Sequence, residues 1–596
     1  STDINQMELT EYAEKYLVDR LSVVPGVAKV RISGEKKKSM RIWLDPNLLS
    51  FYGLTVLDIE KKILEENIDL PAGRLESSTR DFTVKLNSGL NNVNDFKKLV
   101  IKKGLNNSFV VLDDVANIEI SPEEPRQIFK GNGEEMIGLG IVKQNSANLI
   151  NVTSGVKKEF KNIQKILPSS IKIYQSYDTS IFVSEALKEV IFTLCFAIIL
   201  VTLVILLFLK NINFSIIPFI TVPISLLASF IFLDFFGFSI NLITLLALVL
   251  CTGLVVDDSI VMLENIYNKI EKGASVFSAS IEGSREVLFA IISTSVVLVS
   301  VFMPIIFLNG DTAKLFEELA VSCIGAIFFS TIISLTLTPM LCSKILKNST
   351  SKEKTSKTNF FKKEYEKYIK TLVDTDKSNK LIFLIISLLI IVSVFLFFKI
   401  SKELSPKEDR GAFFLIINGP EGSSYENTVN QMNELEDKLL KLNKNNEANR
   451  ILLRVPRSFS GSENFSDGIG IIVLNHWSER RPIWTIINEI KKETNNMSDS
   501  KILIFPPRSL GQRRSGSQLQ FVIGGNSYDE IEEYISVILR EVKKNKNFIF
   551  VDTDYKKTRP QVKLDIDRNK SSELEVSSEK IGRTLEILLG GRKINT

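Results

Sequence analysis

The chain has 596 residues, 44% of them hydrophobic, and a formal net charge of +5. It is too long for one domain, and its apolar residues are gathered into blocks, which excludes a single soluble globule. Residues 344–380 hold eleven lysines and five acidic residues. We interpret this charge as a signal of membrane topology and not as a nucleic-acid site.

The first part of the chain, up to about residue 185, alternates strand and helix patterns. Apolar residues with a period of two predict strands, and a period of 3.6 predicts helices. The predicted elements are strands at 27–33 and 39–45, a helix at 55–66, strands near 108–120 and 136–143, a helix at 147–165 and a strand at 170–176. Such units predict small α+β sandwiches with the helices on one face of a sheet.

Six hydrophobic blocks follow, each long enough to span a membrane. Residues 190–209 carry no charge, and at about 1.5 Å per residue they cross roughly 30 Å of hydrocarbon. The blocks lie at about 190–209, 215–233, 242–262, 286–308, 319–343 and 381–398. The sequence therefore predicts a polytopic α-helical membrane protein with six spans.

The basic residues of the short loops set the orientation. The lysine-rich stretch after the fifth block is expected in the cytoplasm, and Lys210, Lys269 and Arg285 fall on the same side. Because six is an even number, residues 1–185 and 400–596 both lie on the opposite side and are exported. All cysteines lie in the hydrophobic blocks, so no disulfide is expected in the exported parts.

The second exported part repeats the alternation of the first. Its predicted elements are a strand at 412–418, a helix at 424–443, strands near 450 and 470, a helix at 481–494, a strand at 519–524 and a helix at 527–544. Residues 40–45 also align with 562–567 at an offset of 522, and Leu54-Thr55 meets Val576-Ser577 at the same offset. This pattern indicates a duplicated protein about twice as long, with sequence missing upstream; a chance match of short patterns is the alternative.

Asp257 and Asp258 lie about fifteen residues inside the third block, within GLVVDDSIVMLENI. A charge at this depth costs at least about 2.5 kcal/mol, and a short carboxylate stem cannot reach the interface. The two residues diverge by about 100° on a helix, yet both can face a wide bundle interior. Low dielectric and mutual repulsion favour protonation, so the pair is predicted to bind protons as a coupled unit. Gly253, one turn earlier, is a candidate for close helix packing.

An alternative is that the third helix ends early and the pair caps a cytoplasmic turn. Residues 259–263 are apolar apart from one serine, and Glu264-Asn265 is a better candidate for the interface. None of the six blocks contains lysine or arginine. Either the carboxylates stay protonated or a cationic partner lies on helices outside this chain.

Four stretches resemble the resistance-nodulation-division (RND) superfamily of proton-driven exporters, in its hydrophobe/amphiphile, or multidrug, efflux branch. They are MRIWLDPNLLSFYGLT at 40–55, FGFSINLITLLALVL at 236–250, GLVVDDSIVMLENI at 253–266 and TLTPML at 336–341. The resemblance covers essentially the whole chain. Its most specific element is the double aspartate, because the heavy-metal branch typically has a single acid there.

The resemblance implies an inner-membrane homotrimer of a duplicated, twelve-span subunit with periplasmic porter and docking domains. Such a subunit joins a periplasmic adaptor (membrane fusion) protein and an outer-membrane channel. It exports amphiphilic or toxic small molecules in exchange for protons, as a secondary transporter without a cofactor and not as an enzyme. Asp257 and Asp258 match the family's proton-relay acids, and the relay lysine would lie on helices absent here.

The same template assigns the domains. They are a partial porter subdomain at 1–60, a docking insertion at 61–129, a porter subdomain at 130–185, five spans within 186–345, a cytoplasmic segment at 346–380, a span at 381–399, and second-half porter subdomains at 400–515 and 516–596.

The resemblance also implies a phenylalanine-rich substrate pocket beside a glycine-rich loop in the porter region. The loop's counterpart is RSFSGSENFSDG at 457–468, so Phe459 and Phe465 are candidates for substrate contact. The facing wall, residues 31–40, is more polar and has Ser33 where relatives can carry an aromatic residue. Ordinary packing of both phenylalanines is the alternative.

Three other classes of function fit the sequence less well than export of amphiphiles. An intramembrane aspartyl protease needs carboxylates on facing helices, whereas these are consecutive and no GxGD pattern occurs. A heavy-metal exporter needs soft or imidazole ligands along its route. His476 is the sole histidine and the exported methionines are scattered in sequence, so the heavy-metal exporter is the second candidate after the exporter of amphiphiles. The chain has no GxxxxGK loop of an ATP-driven pump.

Overall fold

The structure is a computed structural model. It describes residues 1, 3–68, 71–85, 89–104, 108–209, 212–310, 313–346, 364–366, 369–370, 376–400, 406–458, 464–495, 497, 500–507, 519–545, 548, 551, 553–555 and 560–594. The chain forms two compact units. The first holds residues 1–178, 409–507 and 518–596, and the second holds 179–408 and 508–517.

The first stretch of the first unit contains six helices and ten strands among its described residues. The helices are α1 (Gln6–Tyr12), continued through a π-helical turn at Ala13–Val18 into α2 (Asp19–Ser22), then α3 (Pro46–Tyr52), α4 (Val56–Glu66), α5 (Val93–Lys97) and α6 (Leu149–Ile166). The strands are β1 (Val27–Ser33), β2 (Lys38–Leu44), β3 (Pro71–Glu76), β4 (Asp81–Lys85), β5 (Val100–Lys103), β6 (Phe109–Val111), β7 (Ala116–Pro122), β8 (Ile128–Gly131), β9 (Glu134–Glu135) and β10 (Gly138–Lys143).

The rest of this unit repeats the alternation. Its elements are β11 (Ala412–Asn418), β12 (Ala448–Val455), β13 (Asp467–Leu474), β14 (Lys501–Phe505) and the helices that we number α13 (Tyr425–Lys444), α14 (Ile483–Thr494), α15 (Tyr528–Lys544), α16 (Arg568–Glu573) and α17 (Ser578–Leu585). The predicted strands at 170–176 and 519–524 are wrong, because neither segment forms a ladder with a described strand. The strand predicted near 108–120 is split by a 3-10 turn at Leu112–Asp114.

One six-stranded sheet joins parts of the first unit that are about three hundred residues apart in the chain. Its strand order is β14-β11-β13-β12-β8-β9, and the two parts meet where β12 pairs with β8, Leu452 opposite Gly131 and Val455 opposite Ile128. The face of α13 buries Met432, Leu435 and Leu439 against this sheet. The first soluble part therefore contributes β8 and β9 to this sheet, and Ile128 of β8 packs into the hydrophobic core formed by the second part.

The repeat predicted at an offset of 522 is visible in the helix caps. Asp45 accepts the N–H groups that begin α3, and Asp567 does the same for α16. Thr55 caps α4, and Ser577 caps α17. The strand does not recur: β2 pairs with β7, whereas residues 562–567 pair with no strand among those described. The turn and the two helices are thus the repeated unit.

Among its described residues the second unit consists of six long helices, of which the first five pack as a bundle, whereas residues 383–399 of the sixth are exposed. They are α7 (Ser180–Leu209), α8 (Ile212–Phe235), α9 (Leu242–Glu271), α10 (Val276–Ile306), α11 (Ala313–Ile345) and α12 (Asp376–Lys399). In the described part of the chain six helices are long and apolar enough to span a membrane, as predicted. Of the 18 most apolar consecutive residues of each helix, 50% are buried in α9 and 56% in α11, whereas only 11% are buried in α7 and in α10. The centre of the bundle is therefore formed by α9 and α11.

Glycines bring these helices close together at two points. A Cβ at Gly283 of α10 would lie 2.9 Å from Cγ1 and 3.1 Å from Cα of Ile266 of α9, and a Cβ at Gly325 of α11 would lie 2.9 Å from Cβ of Phe232 of α8. Small residues allow such approaches in membrane bundles, where packing has to replace the hydrophobic effect.

Candidate intramembrane carboxylate site

Polar contacts at both ends fix the position of α9. Asn241 caps its first turn by accepting from the N–H groups of Ile243 and Thr244, and the Asn241 amide donates to Glu318 of α11. At the other end Lys269 pairs with Glu286 of α10 at 2.8 Å. Asn265 donates to the carbonyl of Gly283 at 2.8 Å. The helix is therefore held to α10 and α11 and continues well past the carboxylates.

Asp258 lies in the interior of the bundle. At 1.5 Å per residue it is about 24 Å from the first residue of α9 and about 20 Å from the last. Its exposed fraction is 8%, and the Ser330 hydroxyl of α11 donates to its Oδ2 at 3.1 Å. The position contradicts the alternative in which the pair caps a cytoplasmic turn, because α9 runs unbroken to Glu271.

Asp257 points away from the helices that surround Asp258. It is exposed and belongs to a stripe of exposed residues at helical spacing on α9, which comprises Leu246, Leu250, Gly253, Asp257 and Val261. The 100° between consecutive helix positions separates the two carboxylates, so the described helices enclose only one of them. Residues 242–268 contain no lysine or arginine.

Gly253 lies on this same stripe. A Cβ at Gly253 would have no neighbour within 4 Å among the described residues, so the helix contact predicted for it stays a prediction.

Three buried hydroxyls form a chain across three helices next to Asp258. Thr221 of α8 lies 3.2 Å from Ser259 of α9, and Ser259 lies 3.2 Å from Ser334 of α11, measured between side-chain oxygens. Each of the three is at most 1% exposed. Ser330 lies one turn before Ser334, and the Val255 carbonyl oxygen, also at 3.1 Å, is an alternative acceptor for its single hydroxyl proton. Sequence reasoning missed these residues; the available signal was the Ser330/Ser334 spacing of four within an apolar helix.

The predicted substrate residues lie in the first unit. Phe459 is outside the described residues. Phe465 is half-buried, with its ring 6.2 Å from that of Tyr425 and the Arg126 guanidinium 4.2 Å from its centroid. Arg126 is held by both carboxylate oxygens of Glu124 at 2.9 and 3.1 Å. Burial raises the pKa of Tyr425 to about 12. One face of Phe465 is thus covered by a cation, which the sequence did not indicate.

Ser33 is buried and accepts a hydrogen bond from Arg454 at 3.3 Å. Arg454 also donates to the carbonyls of Pro456 and Arg457, at the base of the loop that carries the predicted phenylalanines. Burial lowers the pKa of Arg454 to about 10. Arg454 therefore links Ser33 to that loop; its sequence signal was an arginine inside the apolar strand ILLRV.

In the described residues no group of three or more His, Cys, Asp or Glu side chains is placed to hold a metal ion.

An acidic side chain buried at mid-depth among spanning helices defines a class: a polytopic membrane protein with a protonatable centre in its bundle. The sequence model of the AcrB/AcrD/AcrF family matches residues 1–596. The chain belongs to this family of RND efflux permeases.

Curated relatives agree with the family match. The chain is 28% identical over 600 residues to an uncharacterized transporter of Haemophilus influenzae, covering 100% of this chain and 57% of the relative. It is 27% identical to the multidrug resistance protein MdtC of Photorhabdus laumondii (100% and 57%) and 29% identical to the multidrug export protein AcrF of Escherichia coli (99% and 59%). The chain thus spans less than two thirds of the length of these relatives.

Proposed function

We propose that this chain is part of a proton-driven exporter of amphiphilic small molecules in the bacterial inner membrane, with Asp257 and Asp258 as its proton carriers. The observation that carries the proposal is the enclosed carboxylate of Asp258, which accepts a hydrogen bond from Ser330 and lies in a stretch of α9, residues 242–268, without lysine or arginine. Membership of the RND efflux permeases supports transport, and the names of MdtC and AcrF support drug-like cargo.

Proton binding at this depth changes the stability of the bundle. An ionised carboxylate inside the membrane costs at least about 2.5 kcal/mol, and protonation removes that cost. Each proton that enters supplies about 2.3 kcal/mol per 100 mV and about 1.4 kcal/mol per pH unit. A cycle of protonation and release at Asp258 can therefore move α9 relative to α11 and drive the first unit through different states.

The exposed stripe that carries Asp257 requires a packing partner in the assembled protein. A carboxylate among exposed apolar side chains such as Leu250 and Val261 is costly in lipid. We propose that a further span packs on the stripe, with Gly253 allowing its close approach, and supplies a basic side chain to Asp257. The relatives exceed this chain in length and have room for such a span.

The soluble parts complete the proposal. We propose that they lie in the periplasm as the porter and docking domains assigned above, with substrate passing near Ser33, Phe459 and Phe465. The subunit would act as a homotrimer with a periplasmic adaptor and an outer-membrane channel. The sheet that contains both β8 and β12 supports coupled motion of the two soluble parts in this scheme, because motion of β8 is transmitted directly to β12.

The test uses the complete reading frame that encodes this chain, expressed in an efflux-deficient host. Asp257→Asn and Asp258→Asn are compared at matched expression with Glu271→Gln, which removes an exposed acid at the end of the same helix. Both aspartate variants are expected to accumulate dye like the host without transporter, and Glu271→Gln to export it. Export by both aspartate variants, or export that survives a protonophore, would contradict the proposal; loss of metal tolerance with normal dye export would favour a metal exporter.

A further inference from the structure

The segment between α6 and α7 is held in place by side chains. Residues 171–178, which we call the strap, form no ladder with a described strand. Ile173 packs against the hydrophobic cluster shared by α2 and α6. Near the end of the strap, Asp178 pairs with Lys157 of α6 at 2.6 Å and accepts a hydrogen bond from Gln175 at 3.1 Å. The strap is thus fastened to the first soluble part.

The strap also contacts the second soluble part. The ring of Tyr174 lies against the guanidinium of Arg450 of β12, which is 5.0 Å from the ring centroid. The ring of Tyr177 meets that of Phe414 of β11 edge to face, with the centroids 5.9 Å apart and the ring planes at 83°. β11 and β12 flank β13 in the six-stranded sheet. The strap therefore touches both soluble parts along its short length.

An extended segment without a ladder keeps its register only through side chains. In a sheet, main-chain hydrogen bonds and the alternation of buried faces fix the position of a strand along its neighbours. The strap lacks the main-chain bonds, so it can slide along its neighbours at little cost unless specific side chains hold it. Those side chains are Tyr174, Tyr177 and Asp178, of which the last is 8% exposed.

The strap continues into the spanning helices with little slack. α7 begins at Ser180, two residues after Asp178, and two residues span at most about 7 Å. Residues 171–209 contain no glycine or proline. α7 packs into the apolar cluster that contains Val255 and Val256 of α9, just before the two aspartates. A displacement of α9 can therefore reach the strap through α7.

We propose that Tyr177 and Asp178 are positioning residues that couple the movement of α7 to both soluble parts, so that proton flow is converted into export. The inference rests on the proposed function, in which protonation of Asp258 moves α9. If the strap slides, α7 can complete its movement while the sheet stays where it is. Loss of these contacts is then expected to uncouple transport: protons continue to pass, and fewer substrate molecules are exported for each proton.

α6 offers a matched control for the ion pair of the strap. Glu159 of the same helix pairs with Arg20 of α2 at 2.8 Å. The basic residues of the two pairs have similar exposures, 42% for Lys157 and 40% for Arg20. The second pair joins α6 to α2 and not to the strap, so Glu159→Gln removes a comparable ion pair while the strap stays as it is.

The test reconstitutes the complete protein in liposomes and records proton flux and ethidium transport in the same preparation. Asp178→Asn and Tyr177→Leu should lower the number of ethidium molecules moved per proton by about three- to thirtyfold, the range for substitutions along a coupling network. Glu159→Gln should stay within about twofold of the wild type, because an exposed ion pair contributes little. Liposomes without protein give the background proton leak.

Two further variants separate coupling from stability. Exchange of the charges, Lys157→Asp with Asp178→Lys, should restore the ratio of ethidium to protons, whereas Asp178→Lys alone should not. Insertion of two glycines between Asp178 and Thr179 leaves every strap contact in place but adds slack before α7, and it should uncouple transport even if the substituted proteins do not fold. The same insertion between Asn309 and Gly310, in the loop after α10, should leave the ratio unchanged.

The measured ratio decides the outcome. A wild-type ratio in the strap variants and in the insertion after Asp178 overturns the role of the strap, and so does a loss of both fluxes in equal proportion from folded protein. In either case an Asp258→Asn variant that moves neither protons nor ethidium leaves the proposed function standing. An Asp258→Asn variant that still exports ethidium overturns the proposed function itself.

Discussion

Replacement of Gly283 by alanine tests the packing that positions the carboxylate helix. The new Cβ would lie 2.9 Å from Cγ1 and 3.1 Å from the backbone Cα of Ile266. Because a backbone atom cannot rotate away, α9 and α10 have to separate by several tenths of an ångström. The separation also strains the bond from Asn265 to the Gly283 carbonyl.

The expected loss of stability in Gly283→Ala is the sum of opposing contributions. Overpacking costs about 1–3 kcal/mol, and the strained hydrogen bond adds about 1 kcal/mol. Alanine recovers up to about 1 kcal/mol over glycine in a helix interior. The balance is a destabilisation of about 1–3 kcal/mol. Gly253→Ala is the matched control in the 596-residue chain itself, which does not carry the further span proposed to pack on Gly253; there its Cβ meets nothing within 4 Å among the described residues, and it should keep the helix gain.

A thiol-reactive dye measures the unfolding of the spanning bundle. Cys251, Cys323 and Cys342 are fully buried in it and react only as it opens, while the exposed Cys195 gives a constant background. In one detergent Gly283→Ala should unfold several degrees below the wild type and Gly253→Ala should not. Equal midpoints for all three proteins would show that α9 and α10 do not approach at Gly283 and would refute the reasoning.

Three further substitutions test the first unit. Lys130 is 16% exposed and pairs with Glu436 at 2.9 Å. Glu436→Gln removes this carboxylate and should lower the free energy of unfolding of the first unit by about 3 kcal/mol, measured by urea unfolding followed by tryptophan fluorescence. Burial alone would raise the pKa of Asp409, but Arg480 and two backbone N–H groups outweigh it, so the pKa is lowered. The contribution of Asp409 to folding stability is therefore present above about pH 4 and is lost as the pH falls further. Asp409→Asn should flatten the acid limb of a plot of stability against pH. Glu575→Gly removes a side chain at φ 55° and should raise the unfolding midpoint by an amount equivalent to about 1 kcal/mol; an unchanged midpoint would contradict the strain.

The sequence was sufficient for elements whose stability is local. The six spans were predictable because long apolar runs have few alternatives to a helix in a membrane. The strands predicted at 170–176 and 519–524 show the opposite case: a strand exists only by pairing, and apolar alternation does not reveal a partner. α9 extends to Glu271, beyond both the hydrophobic block that ends near 262 and the interface predicted at Glu264-Asn265, because its last turns are polar and held by Lys269 and Asn265.

The candidate site was predictable only in its acids. Two aspartates in an apolar run stand out because each is expensive there. Their surroundings depend on how the helices pack, and Ser330 is 72 residues from Asp258 in the chain. Serine and threonine are frequent in membrane helices and mostly bond to their own backbone, so no local pattern distinguishes Ser334 from Ser225. The cross-helix bonds become visible only once α8, α9 and α11 are brought together.

The different surroundings of the two aspartates imply that they act at different interfaces. Asn at 258 keeps an acceptor for Ser330 but cannot release a proton, so the bundle should stay folded while transport stops. Asn at 257 disturbs no polar contact of the described helices, so any loss of export there has to arise from whatever covers the stripe with Leu250 and Val261. Placing the acids in consecutive positions turns them about 100° apart, so under the proposed function one helix would couple proton binding to two different neighbours.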